Sequence, residues 1–74
     1  MKIISEAKRK ILKELEREPC YGYALSRSLD LPVSYIYQHL RELREAGFIT
    51  ATEKGRTKVY HLTKKGRTLL KALE

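Results

Sequence analysis

The stretch from Leu31 to Phe48, which reads LPVSYIYQHLRELREAGF, constrains the fold more than any other part of the sequence. Its apolar residues recur at i, i+4 and i+7, the spacing of one helical face, at Ile36, Leu40 and Leu43. Val33 and Gly47 fall on the same side. The sequence therefore predicts an amphipathic helix with one face packed against a core.

The opposite face of this helix lacks the Lys and Glu residues that usually cover a solvated helix. Ser34, Gln38 and Arg41 line it, with Tyr35 and Tyr37 on its flanks. Hydroxyl, amide, phenol and guanidinium groups together can hydrogen-bond both base edges and phosphates. This composition favours a helix that recognises nucleic acid.

The charge balance favours the same class of partner. The 74 residues include 16 Lys and Arg but only 9 Asp and Glu, which gives a net charge of +7. Such an excess suits a polyanion. The alternative is basicity without a partner, since a thermophilic source, which the absence of Asn and the single Gln, Met and Cys suggest, enriches Lys and Arg.

The length predicts one domain, residues 1–74, with a marginal core. The apolar runs are too short to span a bilayer and no secretory leader is recognisable, so we expect a cytoplasmic protein without a membrane partner. Cys20 has no second cysteine to pair with and is expected to be a small buried hydrophobe.

Three helices are predicted up to the end of the Leu31–Phe48 stretch. The first covers residues 3–18 and is stopped by Pro19. The second covers Tyr21–Leu29, with Ala24, Leu25 and Leu29 inward, and Gly22 lies at its start or allows another backbone to come close. The third opens at Pro32 or Val33 after a tight connection. This is the spacing of a helix-turn-helix.

A β-hairpin and a final helix complete the prediction. Gly47 ends the third helix, and Phe48–Glu53 pairs with Thr57–Leu62 across Lys54-Gly55-Arg56. Thr63 is a natural N-cap for a helix over Lys64–Leu73. The expected fold class is α+β, mostly α: a winged helix-turn-helix of three helices, a two-stranded hairpin wing and a C-terminal helix.

Three segments resemble the PadR-like regulators. They are YGYAL at Tyr21–Leu25, IYQHLRELREAGFI at Ile36–Ile49 and KVYHLTKKGRTLL at Lys58–Leu70. MarR-like and ArsR-like regulators share the last two. The resemblance covers nearly the whole chain, but the loop before the third helix is short and the C-terminal dimerising domain of PadR-like proteins is missing. Effector binding and dimer architecture therefore do not carry over.

The resemblance implies that the start of the third helix enters the major groove of DNA while the wing reaches the minor groove. Gln38 is the best candidate for base reading, because an amide can pair with adenine. Ser34 and Tyr35 can donate to bases or phosphates, and Tyr37 can pack its ring and offer its hydroxyl to a phosphate. The alternatives are a solvated Gln38 and a Tyr35 that covers the edge of the core.

Further cations are candidates for phosphate contacts. Arg41 and Arg44 are predicted clamps on the DNA backbone, unless nearby Glu side chains pair with them. On the wing, Arg56 is the natural minor-groove probe. Lys54 and Lys58 accompany it, with simple solubilising charge as the alternative. In the second helix, Arg27 can contact phosphates together with Ser26 and Ser28.

Enzymatic chemistry is not expected. His39 and His61 are far apart and no cysteine or carboxylate joins them at metal-ligand spacing, so His39 is expected to border the core. No nucleophile triad or glycine-rich phosphate loop occurs. We therefore expect neither a catalytic residue, a metal, a cofactor nor a small-molecule ligand.

The resulting hypothesis is a sequence-specific regulator of transcription that binds double-stranded DNA, with repression by promoter occlusion as its simplest action. The alternative is a winged-helix module that binds protein within a transcription or replication assembly, which the basic wing disfavours. RNA binding is disfavoured because A-form grooves do not admit a helix.

A homodimer is also predicted, because the apolar stripe of the first helix covers about half its circumference and one core needs an arc nearer 100°. The expected interface combines that stripe with the last helix, at Ile3, Ile4, Ala7, Leu12, Leu69, Leu70 and Leu73. The alternative is that the wing and last helix of the same chain fill the stripe.

Overall fold

Four helices and a three-stranded sheet make up residues 5–74, the part of the chain that this computed structural model describes. In chain order the elements are α1 (Glu6–Arg17), β1 (Cys20–Tyr21), α2 (Gly22–Leu29), α3 (Val33–Glu45), β2 (Ile49–Lys54), β3 (Thr57–Leu62) and α4 (Lys64–Leu73). This is a winged helix-turn-helix, as the sequence predicts, with one strand more than expected.

Helix α1 is shorter than the predicted range at both ends. Ser5 is its N-cap, because the Ser5 side chain accepts a hydrogen bond from the amide of Lys8 at 3.2 Å. The helix therefore begins at Glu6, and the predicted Ile3 and Ile4 lie outside the described residues. It ends at Arg17, since Glu18 precedes a proline and adopts an extended conformation.

The turn between α2 and α3 is closed by two hydrogen bonds between the same residues. The amide of Leu31 donates to the carbonyl of Ser26 at 3.1 Å, and the Ser26 hydroxyl donates to the carbonyl of Leu31 at 2.6 Å. Asp30 between them is left-handed, with φ of 56°. Ser26 is therefore a buried residue of α2 that closes the turn, which corrects the expectation that it contacts phosphate.

Helix α3 ends in a Schellman motif. The amide of Gly47 donates to the carbonyl of Arg44, and the amide of Phe48 donates to the carbonyl of Leu43. Gly47 has a φ of 84°, which a residue with a side chain rarely adopts. The predicted end of the helix at this glycine is confirmed.

The sheet has the strand order β1-β3-β2 and is antiparallel throughout. Lys54 pairs with Thr57, so the hairpin loop is only Gly55-Arg56, one residue shorter than predicted. Gly55 has a φ of 60°, as the first loop position of a type II′ turn requires. The third strand, β1, pairs Cys20 with Tyr60 and was missed because two residues show no periodicity.

Helix α4 is fixed against the junction of α3 and β2. The Thr63 hydroxyl accepts from the amide of Gly66 at 3.0 Å, which confirms the predicted N-cap, and donates to the carbonyl of Gly47. Any side chain at Gly66 would collide with the carbonyl of Phe48. Lys65 donates to the carbonyl of Ala46 at 2.7 Å, at the negative end of the α3 dipole.

The wide apolar stripe of α1 is covered within the chain. Ile11 and Leu12 are fully buried and Leu15 is 2% exposed, because α4, β3, α2 and α3 all pack against this helix. Leu70 is fully buried in the same core. Leu12 and Leu70 therefore offer no surface to a second copy, which corrects their assignment to a dimer interface.

Two other residues predicted to face inward are exposed. Val33 is 38% exposed at the first turn of α3, and Ala24 faces solvent on α2. The stripe of α3 is otherwise as predicted, since Ile36, Leu40 and Leu43 are each at most 1% exposed. None of the helices in residues 5–74 is both long and apolar enough to cross a bilayer.

Candidate nucleic-acid interface

The polar face of α3 lies opposite the wing across an open groove of about 540 Å³. Because its apolar stripe is anchored in the core, the opposite side of α3 is turned outward, towards β3 of the hairpin. We call this the cationic groove, and its lining residues are Ser34, Tyr37, Gln38, Arg41, Arg44, Lys58 and Tyr60. Five of the predicted α3 site residues and one of the predicted wing residues thus share one surface.

A second groove of about 620 Å³ adjoins the first and is lined mainly by aromatic side chains. We call it the tyrosine groove, and its lining residues are Tyr21, Tyr23, Ala24, Tyr37, Arg56, Thr57, Lys58 and Tyr60. Tyr37, Lys58 and Tyr60 line both grooves, so the two form a continuous surface between α2, α3 and the wing.

The position of Tyr37 between the grooves depends on a glycine in α2. A Cβ atom at Gly22 would lie 2.6 Å from Cζ and 2.7 Å from the hydroxyl oxygen of Tyr37. The phenol ring therefore packs directly on the backbone at the start of α2. The prediction that Gly22 lies at the start of the helix is confirmed, whereas the group that comes close to it is a side chain and not another backbone. The ring remains 44% exposed, so it is supported on one side and open on the other.

Tyr60 forms the floor where the grooves meet. It is 5% exposed, and burial, reinforced by the neighbouring Tyr37, raises its pKa while Arg44 partly opposes the shift. Its phenol therefore stays neutral and can act as a donor or acceptor at neutral pH. The β3 strand holds it in register with Cys20 and Ala51.

The cations of the two grooves differ from those of α1 in their partners. Within residues 5–74 each of the four ion pairs uses an α1 cation, namely Lys8–Glu42, Arg9–Glu6, Lys13–Glu74 and Arg17–Glu14. Arg41, Arg44, Arg56 and Lys58 form no ion pair with any described residue. The expected alternative, that nearby Glu side chains neutralise Arg41 and Arg44, is not what the structure shows.

One of these ion pairs belongs to a cluster that joins α1 to the back of α3. Lys8 Nζ donates to Nδ1 of His39 at 2.8 Å and to Glu42 Oε1 at 2.5 Å. Burial and the adjacent Lys8 ammonium lower the pKa of His39, which is 7% exposed and borders the core as predicted. Hydrogen bonding with Lys8 lowers the pKa of Glu42, and the Gln38 amide contributes to the same shift.

Tyr35 lies on this side of α3 and lines neither groove. Its ring stands edge-on to His39, with 4.5 Å between centroids and 85° between planes. With 41% of its surface exposed, it partly covers the core edge, which is the alternative considered from the sequence.

The remaining predicted site residues lie around the rim. Arg27 donates to the hydroxyl of Tyr23 at 3.3 Å and stacks over its ring, while Ser28 donates to Glu14. Arg56 lines the tyrosine groove from the hairpin turn, and Lys54 is exposed on the wing but lines neither groove.

Sequence reasoning missed Tyr21, Tyr23 and Tyr60 as site residues. The signal available was the pair of tyrosines around Gly22 at the start of α2, since two neighbouring exposed phenol rings on a small basic domain are unusual for a purely solvated surface. Among the described residues no group of three His, Cys, Asp or Glu side chains could hold a metal ion.

The fold and the exposed α3 face define a winged helix-turn-helix protein of the kind found in transcription regulators. Residues 5–51 match the family described as "Bacterial regulatory protein, arsR family". Because the match covers more than half of the chain, the protein belongs to this family. ArsR-like regulators are among those that share two of the sequence motifs, whereas the closer likeness to PadR-like regulators stays a prediction. No curated protein matches the sequence.

Solved structures of transcription regulators share the fold. The transcriptional regulator BldR from Sulfolobus solfataricus superposes with a TM-score of 0.89 at 24% identity, over 93% of this chain and 52% of that one. The adhesin competence repressor AdcR from Streptococcus pyogenes gives 0.90 at 14% identity, over 96% and 54%. The complex structure of hsRosR-S4 gives 0.90 at 26% identity, over 96% and 68%. The chain thus spans about half the length of BldR and AdcR.

Proposed function

We propose that this domain binds double-stranded DNA and regulates transcription, with α3 in the major groove and the hairpin wing at the adjacent minor groove. The observation that carries the proposal is the cationic groove, where Arg41, Arg44 and Lys58 lie across α3 and β3 and no carboxylate within residues 5–74 pairs with them. Unpaired guanidinium and ammonium groups on one surface suit a phosphate backbone. Membership of a regulatory family and the similarity to repressors support the same assignment.

In this proposal the side chains of the groove have different tasks. A major groove about 12 Å wide admits a helix, and each base pair presents a distinct pattern of donors and acceptors there. Gln38, exposed at the centre of the α3 face, reads a base, while Ser34 and Tyr37 donate to bases or phosphates. Arg41, Arg44 and Lys58 bind the backbone of the strand between the two DNA grooves, and Arg56 reaches the minor groove from the turn. Repression follows if the occupied site overlaps a promoter.

Salt dependence tests the proposal directly. If about four to six phosphates are neutralised, the logarithm of the affinity for duplex DNA falls with the logarithm of the salt concentration at a slope near −4 to −5. Fluorescence anisotropy with a labelled duplex at several salt concentrations measures this slope. A slope near zero would exclude the proposed contacts.

Substitution of Gln38 separates sequence reading from general affinity. After the preferred site has been selected from random duplexes, Gln38→Ala should weaken binding to that site by about 1 to 3 kcal/mol and leave binding to random DNA unchanged. Arg56→Ala is the matched control, because loss of a backbone or minor-groove cation weakens both. Equal losses for Gln38→Ala on both DNAs would contradict base reading.

A homodimer remains part of the proposal, with a narrower surface than the sequence indicated. With Leu12 and Leu70 buried in the core, the candidates left among the described residues are Leu69 and Leu73, half-buried on α4, and the 9% exposed Ala7. Two-fold symmetry would place two recognition helices about 34 Å apart and predicts a palindromic site. Sedimentation equilibrium decides the question, since a mass of 8.7 kDa that is unchanged on raising the concentration would exclude the dimer.

A further inference from the structure

The tyrosine groove has a composition that duplex recognition by α3 does not require. Four of the five tyrosines in the chain line it, and they come from four different elements or their edges: β1, α2, α3 and β3. Tyr21, Tyr23 and Tyr37 are each between 44% and 57% exposed. Apolar rings held open to solvent on a small domain indicate a binding surface.

The rings are held in place by the fold. Tyr37 packs on the backbone of Gly22, and Tyr21 lies in β1, paired with Val59. Tyr23 is held from outside the groove by Arg27, whose guanidinium lies 5.9 Å from the ring centroid. A site built from supported rings loses little conformational freedom when a flat ligand stacks on it.

The charged side chains that line the tyrosine groove indicate which kind of flat ligand would bind there. Arg56 and Lys58 line it from the wing, and none of its described lining residues is acidic. The groove therefore suits a ligand that combines an aromatic ring with negative charge. Its volume of about 620 Å³ falls within the range of small-molecule sites. Continuity with the cationic groove through Tyr37, Lys58 and Tyr60 places this ligand on the path of a nucleic-acid backbone.

We propose that the tyrosine groove binds an unpaired nucleotide, with its base stacked on the tyrosine rings and its phosphates on Arg56 and Lys58, so that the domain binds single-stranded DNA. Aromatic rings interleaved with cations are the usual means of holding single strands without base-specific contacts. This activity goes beyond the proposed duplex recognition, in which bases stay paired and α3 reads their edges.

The experiment uses the full chain and a fluorescein-labelled dT12 oligonucleotide, followed by anisotropy at low salt. An unlabelled dT12 competitor excludes binding through the dye. The matched probe is a twelve-unit abasic oligonucleotide, which keeps the phosphates and lacks the bases. Because stacking strengthens binding by roughly tenfold or more per base, dT12 should compete at least about tenfold better than the abasic strand. Equal competition would show binding by charge alone and overturn the proposal.

Variants assign the binding to the groove. Tyr23→Leu should weaken dT12 binding by about tenfold, whereas Tyr23→Phe keeps the ring and should bind like the unsubstituted protein. Tyr35→Leu is the matched control, since Tyr35 is similarly exposed but lies outside the groove. Circular dichroism checks that each variant is folded. An unchanged affinity in Tyr23→Leu, or an equal loss in Tyr35→Leu, would contradict the assignment.

The duplex arm separates this proposal from the proposed function. A hairpin duplex is titrated under the same conditions. If the protein binds the duplex but not dT12, the single-strand proposal is wrong and the duplex function stands. If it binds dT12 but not the duplex, the reverse holds, and binding to neither would overturn both.

Discussion

Helix α1 and the groove between α3 and the wing are both rich in cations, but they differ in how many of those cations form ion pairs with carboxylates. On α1, Lys8, Arg9, Lys13 and Arg17 each contact a carboxylate, whereas among the described residues Arg41, Arg44, Lys58 and Arg56 have no such partner. A net charge of +7 is thus not spread evenly over the surface. Lys10 on α1 and Lys64, Arg67 and Lys71 on α4 also form no ion pair with a described residue, so a cation without a carboxylate partner marks the binding face only where it lies beside the polar face of α3. The count of basic residues does not reveal this.

The largest expected effect comes from removing two cations from each region in turn. Arg41→Ala with Lys58→Ala should weaken duplex binding by roughly 100-fold and reduce the salt slope by about 2, because two phosphate contacts are lost. Lys13→Ala with Arg17→Ala changes the net charge equally and should leave the slope unchanged. Anisotropy titrations over a range of salt measure both. Equal effects of the two double substitutions would show that duplex binding depends only on the net charge of the protein.

A smaller effect is expected when the geometry of the groove changes and its charge does not. In Gly22→Ala the new Cβ displaces the end of the Tyr37 ring towards its solvent-exposed side, so the free energy of unfolding should change by less than about 1 kcal/mol. Duplex affinity should fall by about tenfold, the loss of one good contact.

A double-mutant cycle checks the cause of this loss. In a Tyr37→Leu background the same Gly22→Ala substitution should have no further effect on affinity. Additive losses would mean that Gly22 acts through something other than the Tyr37 ring. Thermal unfolding of all three variants shows whether the fold is kept.

His39, which contacts the α1 cation Lys8, should make the stability of the fold depend on pH. An unperturbed histidine titrates near pH 6.5, and the folded state lowers the pKa of His39 by burial and by the Lys8 ammonium. Below about pH 6.5 the unfolded chain therefore binds more protons than the folded one, so stability falls as the pH falls through this region, by at most about 1.4 kcal/mol per pH unit for one proton.

Urea unfolding at pH 7.5 and 5.5 measures this loss, and His39→Gln should reduce it. Glu42 contributes at lower pH: its pKa is lowered in the folded state, so stability is lost as the pH falls through the ordinary carboxyl pKa of about 4.5 towards that lowered value. An unchanged pH dependence in His39→Gln would rule out His39 as the source.

The smallest effect is expected from an exposed α1 ion pair. Arg17→Gln removes the pair with Glu14, in which the Arg17 side chain is 67% exposed, and should change the unfolding free energy by less than about 1 kcal/mol. Duplex affinity should not change. A loss of affinity would place α1 on the DNA and remove the contrast between the two regions.

The sequence predicted those elements that carry their own local signal. The 3.6-residue spacing of Ile36, Leu40 and Leu43 identified α3 and its exposed face, and Thr63 identified the start of α4. Gly47 and Gly55 marked a helix end and a tight turn because both need a positive φ. In each case the residues that decide the conformation lie within a few positions of one another, so neighbouring side chains and backbone dihedrals suffice.

Tertiary structure decided those features of the fold and the site that depend on residues far apart in the chain. Strand β1 exists because Cys20 and Tyr21 meet β3, and the stripe of α1 is filled because α4 and β3 return to it. The tyrosine groove joins Tyr21 to Lys58, and Lys8 reaches Glu42. None of these contacts has a local pattern. The amino-acid sequence by itself determined which faces are apolar and which are basic, and the i,i+3 spacing within α1 is enough for the pairs Arg9–Glu6 and Arg17–Glu14. Only the packing of those faces decided that Lys8 and Lys13 are neutralised, because Glu42 and Glu74 lie far from them in the sequence and come close only in the folded chain.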